Sequence, residues 1–242
     1  MFEIDEIKIE NRKCGCVTDS DAPRIAFSLK SDKQGTELAS AIVRVGGKEF
    51  TTKEQCGVAL KELALRPFHR YEVSVVATDN FGNRAKGKSF FCTGRRKLPW
   101  TAKWITKASY TFPKNASPAP FTFRKIFAAK KIKRALLTAT ALGIYELELN
   151  GKKVGEQYFA PGFTSYKHIL QYDLYDVTAL LKEQNELVAV VGGGWAVGRF
   201  TYSSKSRITC DRQAFLAELF LEYEDGSKEK IVTDESWQQT MD

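Results

Sequence analysis

Along most of this chain apolar and polar residues alternate with a period of two. "RIAFSL" (24–29), "ELASAIVRV" (37–45) and "YEVSVVATD" (71–79) set β-branched and aromatic residues at alternate positions or in short apolar runs. Breaks fall at "GG" (46–47), "DNFGN" (79–83) and "TG" (93–94). Successive side chains of a strand point to opposite faces, so the pattern predicts half-buried strands joined by tight turns. Short strands so spaced over about the first 90 residues predict a β-sandwich.

One stretch sharpens the prediction. In "LALRPFHRYEVSVVATDNFGN" (63–83) a Leu and a Pro precede the Tyr that opens a strand. This is the arrangement of a tyrosine corner, in which the phenol bonds back to upstream backbone, with Tyr71 as the corner residue. The segment resembles the penultimate strand and turn of fibronectin type III domains.

The following stretch, "TGRRKLPWTAKWITKASYTFPKNASPAPFTFRK" (93–125), is rich in Pro, Ser and Lys and reads as a linker followed by a long loop. Strand patterns then return. In "IYELELNGKKVGE" Tyr145, Leu147 and Leu149 share one face and Glu146 and Glu148 the other, and Asn150-Gly151 is the pair a type I′ hairpin prefers. "FLAELFLEYEDGS" repeats the device: Phe215, Ala217, Leu219, Leu221 and Tyr223 alternate with other residues before Asp225-Gly226 turns the chain. "DVTALLKEQNELVAVV" predicts one helical turn and then a buried strand. The chain is therefore expected to be all-β. An immunoglobulin or fibronectin-type-III-like sandwich over 1–94 is followed by a linker and loop over 95–120, then by a larger antiparallel jelly roll over 121–242.

Composition narrows the options. A length of 242 residues accommodates one or two domains, and 43% hydrophobic with 27% charged residues is ordinary globular usage. No apolar run approaches the ~20 residues that cross a bilayer. "MFEIDEIKIENRK" lacks the apolar core of a signal peptide, and the five cysteines are odd in number with no C-x-x-C pair. A cytoplasmic chain with free thiols is expected. Cys14-Gly15-Cys16 would need further ligands to hold a metal, and the two histidines, His69 and His168, lie far off in sequence, so no metal site is assigned.

The net charge of +8 raises the question of nucleic acid. Its densest runs, "RRKLPWTAK" (95–103) and "RKIFAAKKIKR" (124–134), flank strands, where lysines guard sheet edges. Within the second run Phe127 alone could stack a base. Neither nucleic acid nor membrane is an expected partner.

"VAVVGGGWAVGRFTYSSKS" (188–206) is the most suggestive stretch for chemistry. Gly192 and Gly194 fill the first two positions of a dinucleotide fingerprint, but Val197 holds the third, and "RFTYSSKS" is no amphipathic helix to cradle pyrophosphate. The glycines are expected to end a strand in a sharp bend. Trp195 is then either a core plug or a platform. A platform would offer a flat apolar face to the C–H side of a sugar, with neighbouring donors for its hydroxyls. Trp195, Arg199 and Tyr202, close enough for one loop to deliver, are the candidate carbohydrate-binding residues. Glu146 and Glu148, Glu222 to Asp225, and Asp234 with Glu235 all have ordinary solvated roles on strands or turns, and no catalytic residue is assigned.

Taken in order, "SFFCTG", "WTAKWI" (100–105), "FRKIF", "ALGIYELELNGKKVGEQYFAPGFTSYKHILQYDLYDVTALLKEQNELVAVVGGGWAVGRF" and "LAELFLEYEDGS" resemble the N-terminal portion of bacterial α-L-rhamnosidases. The resemblance covers nearly the whole chain from about residue 63. It implies a fibronectin-like domain and a jelly roll related to carbohydrate-binding modules. In the family further β-domains follow, then an (α/α)6 barrel that removes terminal L-rhamnose with inversion. Inversion needs an acid and a base roughly 6.5–9.5 Å apart; in the family both sit on the barrel, and nothing in this chain resembles it. The resemblance thus implies a non-catalytic, scaffolding or substrate-presenting fragment, with the remaining domains of the enzyme and a rhamnose-containing glycan as partners. A self-sufficient glycan-binding module is the alternative. Some relatives of the jelly roll bind rhamnose with calcium; no residue here is assigned to calcium and no other cofactor is implied. Where many relatives read G-N-G-W-Y, this chain has Gly192-Gly193-Gly194-Trp195-Ala196, without the Asn and the Tyr.

Overall fold

Period-two alternation in the first part of the chain is realised as strands β1 (Phe2–Ile9), β2 (Val17–Thr18), β3 (Arg24–Ser31), β4 (Leu38–Val45), β5 (Lys48–Thr52), β6 (Val58–Ala59), β7 (Arg70–Asp79) and β8 (Arg84–Thr93). The computed structural model describes residues 1–109, 111–112, 115–199 and 202–240, and divides into two compact units, Met1–Pro99 and Trp100–Asp242.

In the first unit β1-β3-β6 form one sheet and β2-β8-β7-β4-β5 the other. Ile7, Ile9, Ile25 and Phe27 from the first sheet meet Val43, Val73, Val75 and Phe91 from the second in one buried core. Each such side chain contributes about 1.5–3 kcal/mol by leaving water. Gly46 and Gly47, with φ of 57° and 77°, make the two-residue turn between Val45 and Lys48, where only left-handed backbone matches the twist of the strands. Tyr71 opens β7 as the corner requires. Its phenol oxygen accepts the Arg66 N–H at 2.8 Å and donates to the Ala64 carbonyl at 3.4 Å, while its ring stacks on Phe91 at 5.4 Å. This is an immunoglobulin-like sandwich.

The second unit contains β9 (Phe121–Ala128), β10 (Ile132–Leu142), β11 (Ile144–Leu149), β12 (Lys152–Lys153), β13 (Asp173–Asp176), β14 (Gln184–Gly192), β15 (Ala214–Tyr223), β16 (Lys228–Val232) and β17 (Gln238–Thr240). Two antiparallel sheets face each other, β13-β10-β15-β16 and β12-β11-β14-β9-β17. Tyr145, Leu147 and Leu149 point into the shared core with Phe215, Ala217, Leu219 and Leu221, and Glu146 and Glu148 are exposed. Asn150 and Gly151, at φ 56° and 74°, close the β11–β12 hairpin as a type I′ turn. Among the described residues the helical pieces are one 3-10 turn, Thr178–Leu180, and one α-helical turn, α1 (Gly194–Val197).

Residues 101–106, upstream of every strand of this unit, run along β15 and the end of β16. Ile105 and Phe215 exchange backbone hydrogen bonds of 3.0 and 2.9 Å, Lys103 donates to the Thr233 carbonyl at 2.7 Å, and the Thr106 hydroxyl donates to the Gln213 carbonyl at 2.7 Å. Glu218 of β15 is fully buried beneath this segment. Its carboxylate accepts the backbone N–H groups of Thr101 and Ala102, the latter at 2.9 Å, and the Thr101 hydroxyl at 2.8 Å, with the Lys230 ammonium 3.6 Å away. A buried carboxylate is tolerable only when its lone pairs are so occupied.

Candidate functional site

The outer face of the five-stranded sheet carries a cleft of about 220 Å3. Ile144, Val190 and Gly192 line it together with Glu146, Tyr158 and Phe159. The local backbone explains why two aromatic residues stand at its rim. Ala160 is buried and tied to β11, its carbonyl accepting the Tyr145 N–H at 2.8 Å, and Phe159 takes a left-handed φ of 58°. Anchoring Ala160 leaves Tyr158 76% and Phe159 63% exposed, and Phe163, just past Gly162, 60% exposed. Large aromatic side chains normally supply core, so three exposed on one loop are informative.

The polar groups of the cleft are already partnered. Glu146 pairs with Lys153 at 3.1 Å, and the Lys153 ammonium lies 3.7 Å from the Tyr158 ring centroid. Behind the cleft the Tyr145 hydroxyl donates to Asp173 at 2.7 Å and lies 3.1 Å from the Tyr175 hydroxyl. Burial pushes the Tyr145 phenol well above its ordinary value, and burial likewise raises Tyr175 to about 12, so both remain neutral donors at any ordinary pH.

The triple glycine ends β14 and starts α1. Gly194 has a φ of +48°, and a Cβ there would lie 2.7 Å from Ile144 Cγ2, so glycine permits a close approach to β11. The four-residue turn stands on an antiparallel sheet and leads into loop backbone, with Arg207 and Cys210 donating to the Val197 and Ala196 carbonyls at 3.1 Å each. It is not a phosphate cradle.

Trp195, half-buried on α1, sits between two rings of the neighbouring loop, edge-on to Phe159 at 6.1 Å and to Phe163 at 6.3 Å. It is thus neither a core plug nor a solitary platform, but the centre of an aromatic group continuous with the cleft. Arg199 and Tyr202 project into solvent from the following loop. The Arg199 Nε donates to the Ser204 carbonyl at 3.3 Å and its backbone N–H to Ser117 Oγ at 3.3 Å. Among the described residues, ring contacts join Trp195 to Phe159 and Phe163 and not to Tyr202.

Sequence reasoning missed Tyr158, Phe159 and Phe163. The available signal was three aromatic residues flanking Ala160-Pro161-Gly162, a turn-like tripeptide unable to bury all of them. Among the described residues no three His, Cys, Asp or Glu side chains gather where they could hold a metal ion.

Comparison with known proteins places this geometry. Residues 4–96 match the Rha78A-like, N-terminal immunoglobulin domain, and residues 130–242 match the alpha-L-rhamnosidase N-terminal domain. An alpha-L-rhamnosidase of Streptomyces avermitilis is 43% identical over 109 residues, covering 45% of this chain and 10% of that protein. The crystal structure of an α-L-rhamnosidase from Aspergillus terreus superposes with a TM-score of 0.87 at 27% identity, over 99% of this chain and 29% of that one. That of Dictyoglomus thermophilum gives 0.83 at 26% identity, over 98% and 29% respectively. The chain thus spans less than a third of each of these relatives. In both of its domains, and in their order, the chain matches the N-terminal region of α-L-rhamnosidases.

Proposed function

We propose that this chain is the non-catalytic N-terminal part of an α-L-rhamnosidase, a glycoside hydrolase acting on terminal α-L-rhamnose. Its second unit would present rhamnose-bearing glycan through the aromatic cleft, and its remaining partners are the other domains of the parent enzyme. The observation that carries the reading is the succession of the two domain matches along 4–96 and 130–242. Four surface acids of the second unit support it. A glycosidase acid must hold a proton near neutrality, which requires a raised pKa. Here the Lys133 ammonium holds Glu222 below its ordinary value, Ser227 lowers Asp225, Ser236 lowers Asp234 and Lys103 lowers Glu235. Those groups are ionised surface partners, not acids poised to donate. None of Cys14, Cys16, Cys56, Cys92 and Cys210 forms a disulfide, which supports the cytoplasmic location proposed for the chain.

Incubating the purified chain with an aryl α-L-rhamnoside tests the reading. No chromophore should be released; turnover that persists through repurification would overturn it. A self-sufficient glycan-binding module is the second reading, favoured by the exposure of Tyr158, Phe159 and Phe163.

A further inference from the structure

We propose that the open edge of β8 in the first unit is a docking surface for an extended, acidic segment of another polypeptide, which adds to the sheet as a strand. Acids at alternate positions of that segment would meet Arg84, Lys86 and Lys88. The apolar side chains between them would cover Phe2 and Ile4 of β1. The surface belongs to the first unit alone and does not depend on the glycan reading.

Three observations converge. First, β8 is only partly paired on the side away from β7. β2 sits there beside Cys92 and Thr93, with the Cys92 N–H donating to the Cys16 carbonyl at 2.9 Å and the Gly15 N–H to the Phe90 carbonyl at 2.9 Å. Alternate residues of a strand turn their N–H and C=O groups to opposite edges, so Arg84, Lys86 and Lys88 turn theirs the same way as Phe90 and Cys92. Among the described residues no strand pairs with them on that side. Second, their side chains form a row of charge. All three are exposed and share one face, about 7 Å apart along the strand. Their neighbours across β7 are Thr78, Val76 and Ser74, none of them an acid, and among the described residues no salt bridge reaches the row. By contrast Arg44 on β4 pairs with Glu49 at 2.7 Å, Lys8 on β1 with Glu6 at 3.1 Å and Lys133 on β10 with Glu222 at 2.7 Å. Third, the inner flank of this edge is apolar. Ile4 and Ile7 lie against Gly87, where a Cβ would stand 3.0 Å from Ile4 Cγ2 and 2.9 Å from Ile7 Cδ1. Ile7 is buried, but Phe2 and Ile4 are only half-buried, and a groove of about 320 Å3 opens between Phe2 and Arg84.

Charge and backbone together choose the occupant. A row of like charge repels a second β8, since two such rows would face each other across the new pair. The same row attracts a strand of opposite sign, and the open N–H and C=O groups supply the main-chain bonds on which strand addition depends. Period-two alternation then fixes the guest's pattern: one face meets the cations, and the other meets Phe2 and Ile4. Three cations are few for nucleic acid, which commonly engages on the order of 6–10 phosphates. Phe90 on the same face offers no stacking platform, because the Arg70 guanidinium lies 3.7 Å over its ring.

The test uses the 242-residue chain and short end-blocked peptides, read by amide hydrogen exchange and by fluorescence anisotropy at low salt. In the free chain the Lys86 and Lys88 amides should exchange quickly, and those of Ala85 and Gly87, turned toward β7, slowly. Slow exchange at Lys86 and Lys88 before any peptide is added means that the edge is closed, and overturns the proposal. A peptide alternating Glu with Val should slow both amides. It should bind about tenfold more tightly than its Gln counterpart, the sum of three cross-strand ion pairs, and that preference should shrink with salt. The Glu peptide N-methylated at its edge-facing amides should not bind. The variant Arg84→Glu, Lys86→Glu, Lys88→Glu, changed only at exposed positions, should reject the Glu peptide and accept one with Lys in its place. Should it fail to fold, Lys86→Ala gives the same reading, weakening the Glu peptide about twofold and leaving the Gln peptide unchanged. Equal affinity for the Glu and Gln peptides, undiminished binding of the methylated peptide, or no binding at millimolar concentration overturns the proposal. Tighter binding of oligo-dT or of anionic lipid vesicles also overturns it, as does self-association in sedimentation that slows the Lys86 and Lys88 amides, which would give the edge to a second copy.

Discussion

Asp173 shows how single residues hold the second unit together. It receives the Tyr145 hydroxyl at 2.7 Å, and that hydroxyl meets Tyr175 at 3.1 Å, so strands of both sheets share one polar knot. Each phenol is a donor only while neutral, and burial raises the proton affinity of both, to about 12 for Tyr175. A phenol whose folded pKa lies above its unfolded value near 10 stabilises the fold fully below pH 10. That contribution is lost as pH climbs through about 12. The urea midpoint should therefore be flat from pH 8 to 10 and fall steeply above it, and Tyr175→Phe should shallow the fall. Glu218 offers a second lesson at this scale. Its position in the alternation of "AELFLEY" marks it as solvent-facing, yet it is fully buried because residues 101 and 102 cross over it. A pattern of two reports which face a side chain occupies, not what later covers that face.

At the scale of elements the sequence was most legible where the physics is local. The strands of both sandwiches follow from alternation. The turns at Gly46-Gly47 and Asn150-Gly151 follow from residues that accept positive φ, and the tyrosine corner follows from its Leu-Pro-Tyr spacing. The loop carrying Tyr158, Phe159 and Phe163 was not legible, because its outward rings are set by one backbone bridge between Ala160 and Tyr145 that no periodicity announces. Trp195 was legible as a candidate, but its ring partners, Phe159 and Phe163, were not, since they arrive from more than thirty residues upstream. The junction of β10 and β11 gives a sharper test. Gly143 has a φ of +137°, and a Cβ there would stand 2.2 Å from the Gly192 carbonyl oxygen, so neither rotation nor a flexible neighbour can relieve the clash. Gly143→Ala should cost at least about 2 kcal/mol, read as a lowered denaturation midpoint, through strain and through displacement of the strand that leads to Trp195.

For the whole molecule, the two-unit division at Pro99 and Trp100 becomes a question of where the second unit starts. Its fully buried core residues all come from β9 onward, but Ile105 packs against them, and the hydrogen bonding of Glu218 and Phe215 depends on residues 101 to 105. A chain beginning at Trp100 should unfold cooperatively by far-ultraviolet circular dichroism. One beginning at Lys107 loses the backbone bonds of Lys103 and Ile105 and uncovers Glu218 to water, and should lose about 2 kcal/mol or more at roughly 0.5–1.5 kcal/mol per hydrogen bond. Survival of full stability in the shorter chain would contradict the role given to Glu218.

The clasp joining Thr101 to Glu218 spans 117 positions. During synthesis the first unit has all its strands in hand once Thr93 of β8 emerges, whereas the next must wait for β15 before its opening residues find their partners. Such distant pairings close late because the intervening chain must first be gathered. Maturation should therefore be ordered in time, with the early sandwich settled while residues 100–106 remain open to proteases, and a pulse of protease during refolding would catch that interval as transient cleavage near Trp104.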